Sequence, residues 1–360
     1  MKPITIIGGG LAGLSLGIAL RRRSVPVTVI ETGTYPRHKV CGEFISGRGR
    51  ETLCQLGLLD QLRDAGVIEA RTAAFVMPGT RATPVRRLRE SALCLSRFEL
   101  DRLLANFFSD LGGELRENTR WRSAETVCEG QVRASGRRPQ AQEGGWRWYG
   151  LKAHARNVGL RADLEMHIVR NGYVGLCRLK NGKVNICGLF RRPGRQPDRE
   201  AEGDGAAPAP ARTQPAALRP LLGSPGTAFH QRAAAAHFDE SSICSVAGLS
   251  LRPHRAADLN ECAIGDALTM TPPVTGNGMS MAFESAELAT GPLAAYSRGE
   301  LSWQAAQRQV ASACDVTFQT RLAWAAKLQS MMFCHSLQGL LGPLLVRSGL
   351  FWHIMFKKTR

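Results

Sequence analysis

The chain has 360 residues, 44% of them hydrophobic, so it can bury a large core and form two interleaved lobes. Its formal net charge is +17, carried mostly by arginine. The basic residues are scattered, with no interleaved aromatic platform or nucleic-acid motif, so we expect no nucleic-acid partner. Attraction to anionic lipid, attraction to acidic or carrier-bound substrates, and a genome rich in arginine codons each explain the charge.

Ten cysteines occur without a CxxC pair or a Cys/His cluster at zinc spacing. This pattern predicts no metal site and mostly buried, reduced thiols in a cytoplasmic protein. The N-terminus leads directly into a predicted strand, so we expect no signal peptide. No uninterrupted apolar run approaches the roughly twenty residues of a membrane-spanning helix, so we expect none.

The first candidate site is a glycine cluster near the N-terminus. An apolar, β-branched run enters Gly8-x-Gly10-x-x-Gly13, a helix pattern follows, and a second apolar run ends at Glu31. In a βαβ unit these glycines permit a tight turn, close approach of a pyrophosphate and close packing of helix on strand. The helix N-terminus attracts the anion, and Glu31 is placed to accept hydrogen bonds from ribose hydroxyls. The motif predicts an adenine dinucleotide, either NAD or FAD.

A second motif decides between these cofactors. A short apolar strand is followed by Gly265-Asp266, then by a loop with Gly276 and Gly278, then by a helix pattern. A carboxylate at a strand end can bind ribityl hydroxyls. A glycine loop that opens a helix directs N–H groups and the positive end of the dipole towards the flavin ring. The sequence therefore predicts FAD.

The loop Lys39-Val40-Cys41-Gly42-Glu43 follows the first βαβ unit. With the second motif, it makes the chain resemble FAD-dependent oxidoreductases of the geranylgeranyl reductase type, in the wider group of aromatic hydroxylases and flavin-dependent halogenases. The resemblance implies that Cys41 lies near the flavin ring, where we predict a catalytic role. It also implies that Arg97 contacts FAD. Arg97 falls in the first turn of a predicted helix, where the dipole disfavours a cation, and this suggests an external anion.

Strand parity gives a further catalytic candidate. Lys152 and His154 fall on one face of a predicted strand, opposite Leu151 and Ala153, so His154 is predicted to line a pocket and exchange protons with substrate. His167 is a similar candidate. Aromatic hydroxylases that resemble this chain carry an Asp-Gly pair associated with the nicotinamide donor, where this chain has Ser135. NAD(P)H therefore remains one of two candidate electron donors, the other being a partner protein.

The predicted fold is α/β, with a Rossmann-like FAD-binding domain interleaved with a β-sheet substrate lobe and followed by C-terminal helices. The predicted divisions are an FAD-binding domain at 1–75, 95–138 and 255–300, a substrate lobe at 76–94 and 146–254, a flexible insertion at 191–235, and a helical region at 301–360.

The leading functional prediction is an FAD-dependent oxidoreductase that reduces an isoprenoid-type double bond in an apolar or lipid-like small molecule. The alternative is a monooxygenase that hydroxylates an aromatic or phenolic lipid, and the non-enzymatic alternative is a flavin-binding protein without turnover. The aromatic, basic segment Phe351 to Lys358 caps the core or lies on the inner membrane surface as a peripheral contact. No feature specifies the oligomeric state.

Overall fold

The structure, a computed structural model, describes residues 1–77, 84–121, 128–194 and 226–334, together with 221, 348, 349 and 358. These residues form two sheets, and the chain crosses between the sheets several times. The predicted architecture, a Rossmann-like domain interleaved with a second sheet and followed by helix, is confirmed.

The first sheet is parallel, with its strands in the order β13-β7-β1-β2-β6. Its strands are β1 (Ile4–Ile7), β2 (Val27–Ile30), β6 (Glu114–Arg116), β7 (Gln131–Arg133) and β13 (Cys262–Ala263). Ile4 and Ile6 are completely buried because helices cover the sheet. The carboxyl ends of β1, β2 and β13 meet at one edge, which brings together the two glycine motifs.

The second sheet has eight strands in the order β12-β8-β11-β10-β9-β4-β5-β3. Its strands are β3 (Phe44–Ile45), β4 (Ile68–Val76), β5 (Arg86–Cys94), β8 (Trp146–Arg156), β9 (Leu164–Val169), β10 (Gly172–Arg178), β11 (Val184–Pro193) and β12 (His237–Ala247). All neighbouring pairs are antiparallel except β4 with β9. Asn171 and Asn181 have φ of 58° and 57° in the turns after β9 and β10, as their Asn-Gly sequences predict.

Seven helices are described in these ranges. They are α1 (Leu11–Arg21), α2 (Arg48–Gln55), α3 (Leu59–Asp64), α4 (Arg97–Asp110), α5 (Ala228–Ala233), α6 (Gly278–Arg298) and α7 (Trp303–Met332). Ser96 caps α4, since its hydroxyl accepts a hydrogen bond from the Glu99 N–H at 3.2 Å. α1 and α6 are mostly buried, and they begin at the two glycine motifs.

The structure differs from the predicted divisions at two places and agrees with part of a third. β4 belongs to the second sheet and begins before the predicted boundary at residue 75. The predicted insertion 191–235 has ordered ends, because β11 continues to Pro193 and α5 begins at Ala228, while 195–220 and 222–225 lie outside the described residues. The helical prediction for 301–360 holds over α7, and the aromatic, basic segment before Lys358 lies outside the described residues.

In the part of the chain that the structure describes, no helix combines the length and the apolar character needed to cross a membrane. The same residues contain no disulfide, and four of the ten cysteines are buried.

Candidate functional site

The three glycines of the first motif have different structural roles. A Cβ atom on Gly8, whose φ is +112°, would lie 2.4 Å from the Ala134 carbonyl oxygen, and one on Gly13 would lie 2.0 Å from the Gly8 carbonyl oxygen. These two positions need glycine for packing. A Cβ atom on Gly10 would meet nothing within 4 Å. Gly10 immediately precedes α1 and provides no side-chain cap, so this position has space for a ligand beside helix N–H groups.

Glu31 lies at the end of β2, as predicted, but its carboxylate is well supplied with internal donors. It accepts hydrogen bonds from the N–H groups of Gly9 and Gly33, both at 2.9 Å, and from the Arg37 guanidinium at 2.8 Å. Burial alone would raise its pKa, but the Gly33 N–H, Arg37 and Lys39 together hold the pKa of Glu31 below its ordinary value. Glu31 therefore shapes the glycine loop, and its contact with a ribose stays a prediction.

The second motif lies directly beside the first. A Cβ atom on Gly265, whose φ is +60°, would lie 2.8 Å from the Cβ of Ala12 in α1. Asp266 and Gly278 line one small pocket, and Asp266 is exposed. A Cβ atom on Gly278, the first residue of α6, would meet nothing within 4 Å. The two motifs thus present two helix N-termini, each beside a glycine with open space next to it.

We expect Asp266→Asn to stabilise the FAD-free protein at high pH while weakening FAD binding. Although the Asp266 side chain is exposed, the protein around its carboxyl group in the pocket removes part of its hydration and raises the pKa of Asp266 to about 6, and Arg97 and Arg137 oppose the shift. Because the folded pKa is raised, protonation stabilises the fold fully below the ordinary pKa of about 3.9, and this contribution is lost as pH rises through about 6. Solvent screens this exposed group, so the expected gain at about pH 8 is only about 1 kcal/mol. Thermal unfolding at about pH 4 and pH 8 checks the prediction; equal gains at both pH values would contradict it.

Arg97 was predicted to face an external anion, and the structure shows an internal one. Its guanidinium donates two hydrogen bonds, at 2.6 and 2.9 Å, to Asp101 one turn further along α4. Lys39 lies 2.8 Å from the same carboxylate, whose side chain is completely buried. Burial opposes ionisation, but Arg97 and Lys39 hold the pKa of Asp101 below its ordinary value. A contact between Arg97 and FAD stays a prediction.

Residues Cys41–Phe44, here called the flavin loop because the resemblance implies that Cys41 lies near the flavin, lead into β3 of the second sheet and pack against the second motif. A Cβ atom on Gly276, whose φ is +63°, would lie 2.1 Å from the ring of Phe44, so glycine is required where the loop packs. Cys41 is partly buried at the start of the loop. Burial raises the pKa of the Cys41 thiol, although Arg97 lowers it. The thiol is therefore protonated at neutral pH.

His154 and Lys152 do share one face of β8, as strand parity predicts. That face, here called the front face, meets the flavin loop, and Leu151 and Ala153 pack in a separate cluster on the back face. The His154 side chain is only 4% exposed and its Nε2 lies 2.6 Å from Glu43, so it is directed at the flavin loop; proton exchange between His154 and substrate stays a prediction. We did not identify Glu43 as a site residue from the sequence. The sequence signal for Glu43 was that the loop motif has an acidic residue at this position.

His167 lies on the back face, away from His154, and its proton exchange with substrate stays a prediction. Its neighbour across the strands is Val174, a member of the back-face cluster, and its Nε2 lies 2.9 Å from Glu165. Both side chains are 1% exposed. Alternation along a strand shows which residues of that strand share a face. It does not show which residues of β9 lie on the same face of the sheet as His154 of β8.

The residues present fit FAD. The spaces beside Gly10 and Gly278 adjoin two helix N-termini, which suit a pyrophosphate and the electron-rich edge of a flavin. Asp266 lies at the start of the loop that leads to Gly278, near the guanidinium groups of Arg97 and Arg137. These residues would hold the cofactor, and the flavin loop would adjoin its ring.

Comparison with known proteins agrees with this assignment. A family model described as an FAD binding domain matches residues 1–144. Menaquinone reductase from Mycobacterium tuberculosis is 25% identical over 332 residues, covering 79% of this chain and 75% of that protein. Squalene epoxidase 4 from Arabidopsis thaliana is 32% identical over 120 residues, covering 27% of this chain and 23% of that protein. The solved structure of the flavin-dependent brominase Bmp2 matches with a TM-score of 0.71 at 17% identity, covering 98% of this chain and 92% of its own.

The fold is that of flavin-dependent halogenases and monooxygenases, and residues 1–144 form part of an FAD-binding domain. The match over residues 1–144 confirms FAD as the predicted cofactor, and the oxidoreductase activity stays a prediction. The chain spans between 23% and 26% of the length of three curated relatives that it matches. The narrower resemblance to geranylgeranyl reductases and the use of NAD(P)H stay predictions.

Proposed function

We propose that the protein reduces an isoprenoid-type double bond in an apolar, lipid-like molecule. One observation carries the proposal: the front face of the second sheet bears an apolar cluster that reaches the second FAD motif. Nine buried residues form this apolar front cluster: Met77, Ile168, Tyr173, Leu189, Leu249, Leu251, Val274, Met332 and Phe333. Val274 lies in the loop just before Gly276, so the cluster adjoins the flavin position. Flexible methionines and aromatic rings suit an apolar ligand.

The relatives support a lipid substrate. The name menaquinone reductase denotes a protein that acts on menaquinone, a quinone with an isoprenoid tail, and that likeness extends over 79% of this chain. Reduced FAD would supply a hydride when bound, its electrons coming from NAD(P)H or a partner protein. The apolar front cluster would exclude water, and the protonated Cys41 thiol of the flavin loop would supply the proton that saturation of a double bond requires.

We expect Cys41→Ser to lower the rate of double-bond reduction by about 100-fold, because a hydroxyl is a much weaker acid than a thiol. FAD content and the flavin absorption spectrum should be unchanged, since serine preserves the size of the side chain. Product formation, measured by mass spectrometry under exclusion of oxygen, checks the rate. Cys54→Ser, at an exposed cysteine of α2, is the control. Equal rates in the two variants would remove Cys41 from the mechanism.

The second candidate function is hydroxylation of an aromatic or phenolic lipid. It is supported by the 32% identity with squalene epoxidase 4 over 120 residues and by the fold, which is shared with a probable FAD-dependent monooxygenase. The two reactions differ in what the substrate gains. With a reduced nicotinamide as donor, a reductase adds hydrogen without oxygen, whereas a monooxygenase adds one oxygen atom and only in air. Flavin loading without turnover on isoprenoid and phenolic lipids would favour the non-enzymatic alternative.

A further inference from the structure

A buried ionic network joins the flavin loop to the second sheet. Glu43 of the loop has one carboxylate oxygen 3.1 Å from Lys152 Nζ and the other 2.6 Å from His154 Nε2. The Glu43 and Lys152 side chains are completely buried, and that of His154 is 4% exposed. A buried charge of this kind is costly unless each partner is present, so the three groups act as one unit.

Glu43 is fixed by its main chain as well. Its φ is 61°, a left-handed conformation that is strained for a residue with a Cβ atom. The Arg97 N–H donates to the Glu43 carboxylate at 3.0 Å, and the Leu95 N–H donates to the Glu43 carbonyl oxygen at 3.2 Å. The next residue, Phe44, packs against Gly276 of the second FAD motif. The conformation of Glu43 therefore sets the position of the loop beside the flavin.

His38, Glu43 and His154 have the spacing of a metal site, but the charges around them indicate that no metal ion binds there. One donor atom each from His38, Glu43 and His154 lies within 4.8 Å of the others. Lys152 Nζ lies 3.0 Å from His38 Nδ1 as well as 3.1 Å from Glu43, so an ammonium group already lies beside two of these three residues. A second cation there would meet strong repulsion. The network is internally compensated.

We propose that Lys152 and His154 are positioning residues for FAD: they hold Glu43, and through Glu43 the flavin loop, in the conformation that contacts the cofactor. Neither side chain needs to touch FAD. The affinity for FAD and the environment of its ring then depend on two residues of the substrate sheet. This inference requires FAD binding but does not depend on whether the enzyme reduces or hydroxylates its substrate.

The protein contains its own matched control. Glu43–His154 and Glu165–His167 are two buried carboxylate–histidine pairs, at 2.6 and 2.9 Å, on opposite faces of one sheet. The substitutions His154→Asn and His167→Asn therefore remove the same group from similar surroundings. Only the first pair contacts the flavin loop.

We expect His154→Asn to weaken FAD binding by about 10-fold and to shift the flavin absorption maximum, by analogy with the loss of residues that orient a ligand's direct contacts. His167→Asn should leave the FAD dissociation constant and the spectrum unchanged, even where both variants lower the melting temperature. Titration of the FAD-free full chain with FAD, followed by flavin fluorescence, gives both quantities. An unchanged FAD affinity in His154→Asn, or an equal loss in His167→Asn, would overturn the proposal.

A charge-matched pair of variants provides a second test. Lys152→Met should weaken FAD binding, because Glu43 loses its counter-ion, and Glu43→Gln combined with Lys152→Met should recover part of the loss, because no unpaired charge is then buried. A double variant that binds FAD no better than Lys152→Met would overturn the assignment. Stoichiometric binding of Zn²⁺ by the wild-type chain would also overturn it, since the network would then be a metal site.

Discussion

Replacing Asp101 with alanine is expected to lower the free energy of unfolding by about 3–5 kcal/mol. The change removes the carboxylate that Arg97 and Lys39 share inside the protein, at 2.6 and 2.8 Å, and leaves two cations with low solvent access and no counter-ion. Denaturant unfolding measures the loss. Asp60→Ala is the control, because Asp60 forms an exposed pair with Arg63 at 2.6 Å, and such pairs contribute less than about 1 kcal/mol.

The Asp101 effect should also depend on pH in a defined direction. The folded pKa of Asp101 is depressed, so its contribution to stability is present above the ordinary pKa of about 3.9 and is lost as pH falls through the folded value. The difference between wild type and Asp101→Ala should therefore be constant near neutral pH and shrink in acid. A difference that does not change below about pH 4 would mean that the buried carboxylate is not ionised.

Replacing Gly10 with valine is expected to reduce FAD affinity by about 100-fold, which corresponds to about 2.7 kcal/mol. The Gly10 backbone has φ −83°, which any residue adopts, and a Cβ atom there would meet nothing within 4 Å. The fold therefore accepts the side chain, with a stability change under about 1 kcal/mol, but the branched group fills the space beside the N-terminus of α1. Titration with FAD and thermal unfolding of the FAD-free protein measure the two effects separately.

We expect Gly13→Ala, in contrast to Gly10→Val, to lower the stability of the FAD-free protein. A Cβ atom on Gly13 would lie 2.0 Å from the carbonyl oxygen of Gly8, so the protein should be destabilised even without FAD. If Gly10→Val lowered the melting temperature of the FAD-free protein as much as Gly13→Ala, Gly10 would be a packing glycine and its assignment to the cofactor would fail.

The sequence was most informative where function depends on local spacing. Intervals of a few residues are enough to predict three features: the turn that contains Gly8 and Gly13, the cap of α4, and the shared face of Lys152 and His154. The Arg97–Asp101 pair also had a local signal, because a cation and a carboxylate lie four residues apart on one helix. We instead interpreted Arg97 as the binding partner of an external anion.

Interactions between distant segments were not predictable in the same way. Glu43 and His154 are separated by 111 residues, and their contact depends on how the flavin loop docks on the second sheet. Strand parity places His154 and Lys152 on one face of β8 but says nothing about which face of the sheet meets FAD. For this reason His167 seemed equivalent to His154, although the structure places it on the back face.

The order of strands in the first sheet has a consequence for synthesis of the protein. β13 occupies one edge of that sheet, although the chain forms most of the second sheet, β8 to β12, before β13 is made. A ribosome that has made residues 1–144, the length of the family match, has released Gly10 but not β13 or Asp266. We therefore expect FAD capture to be a late event in biogenesis, because β8 to β12 of the second sheet are synthesised before the second glycine motif.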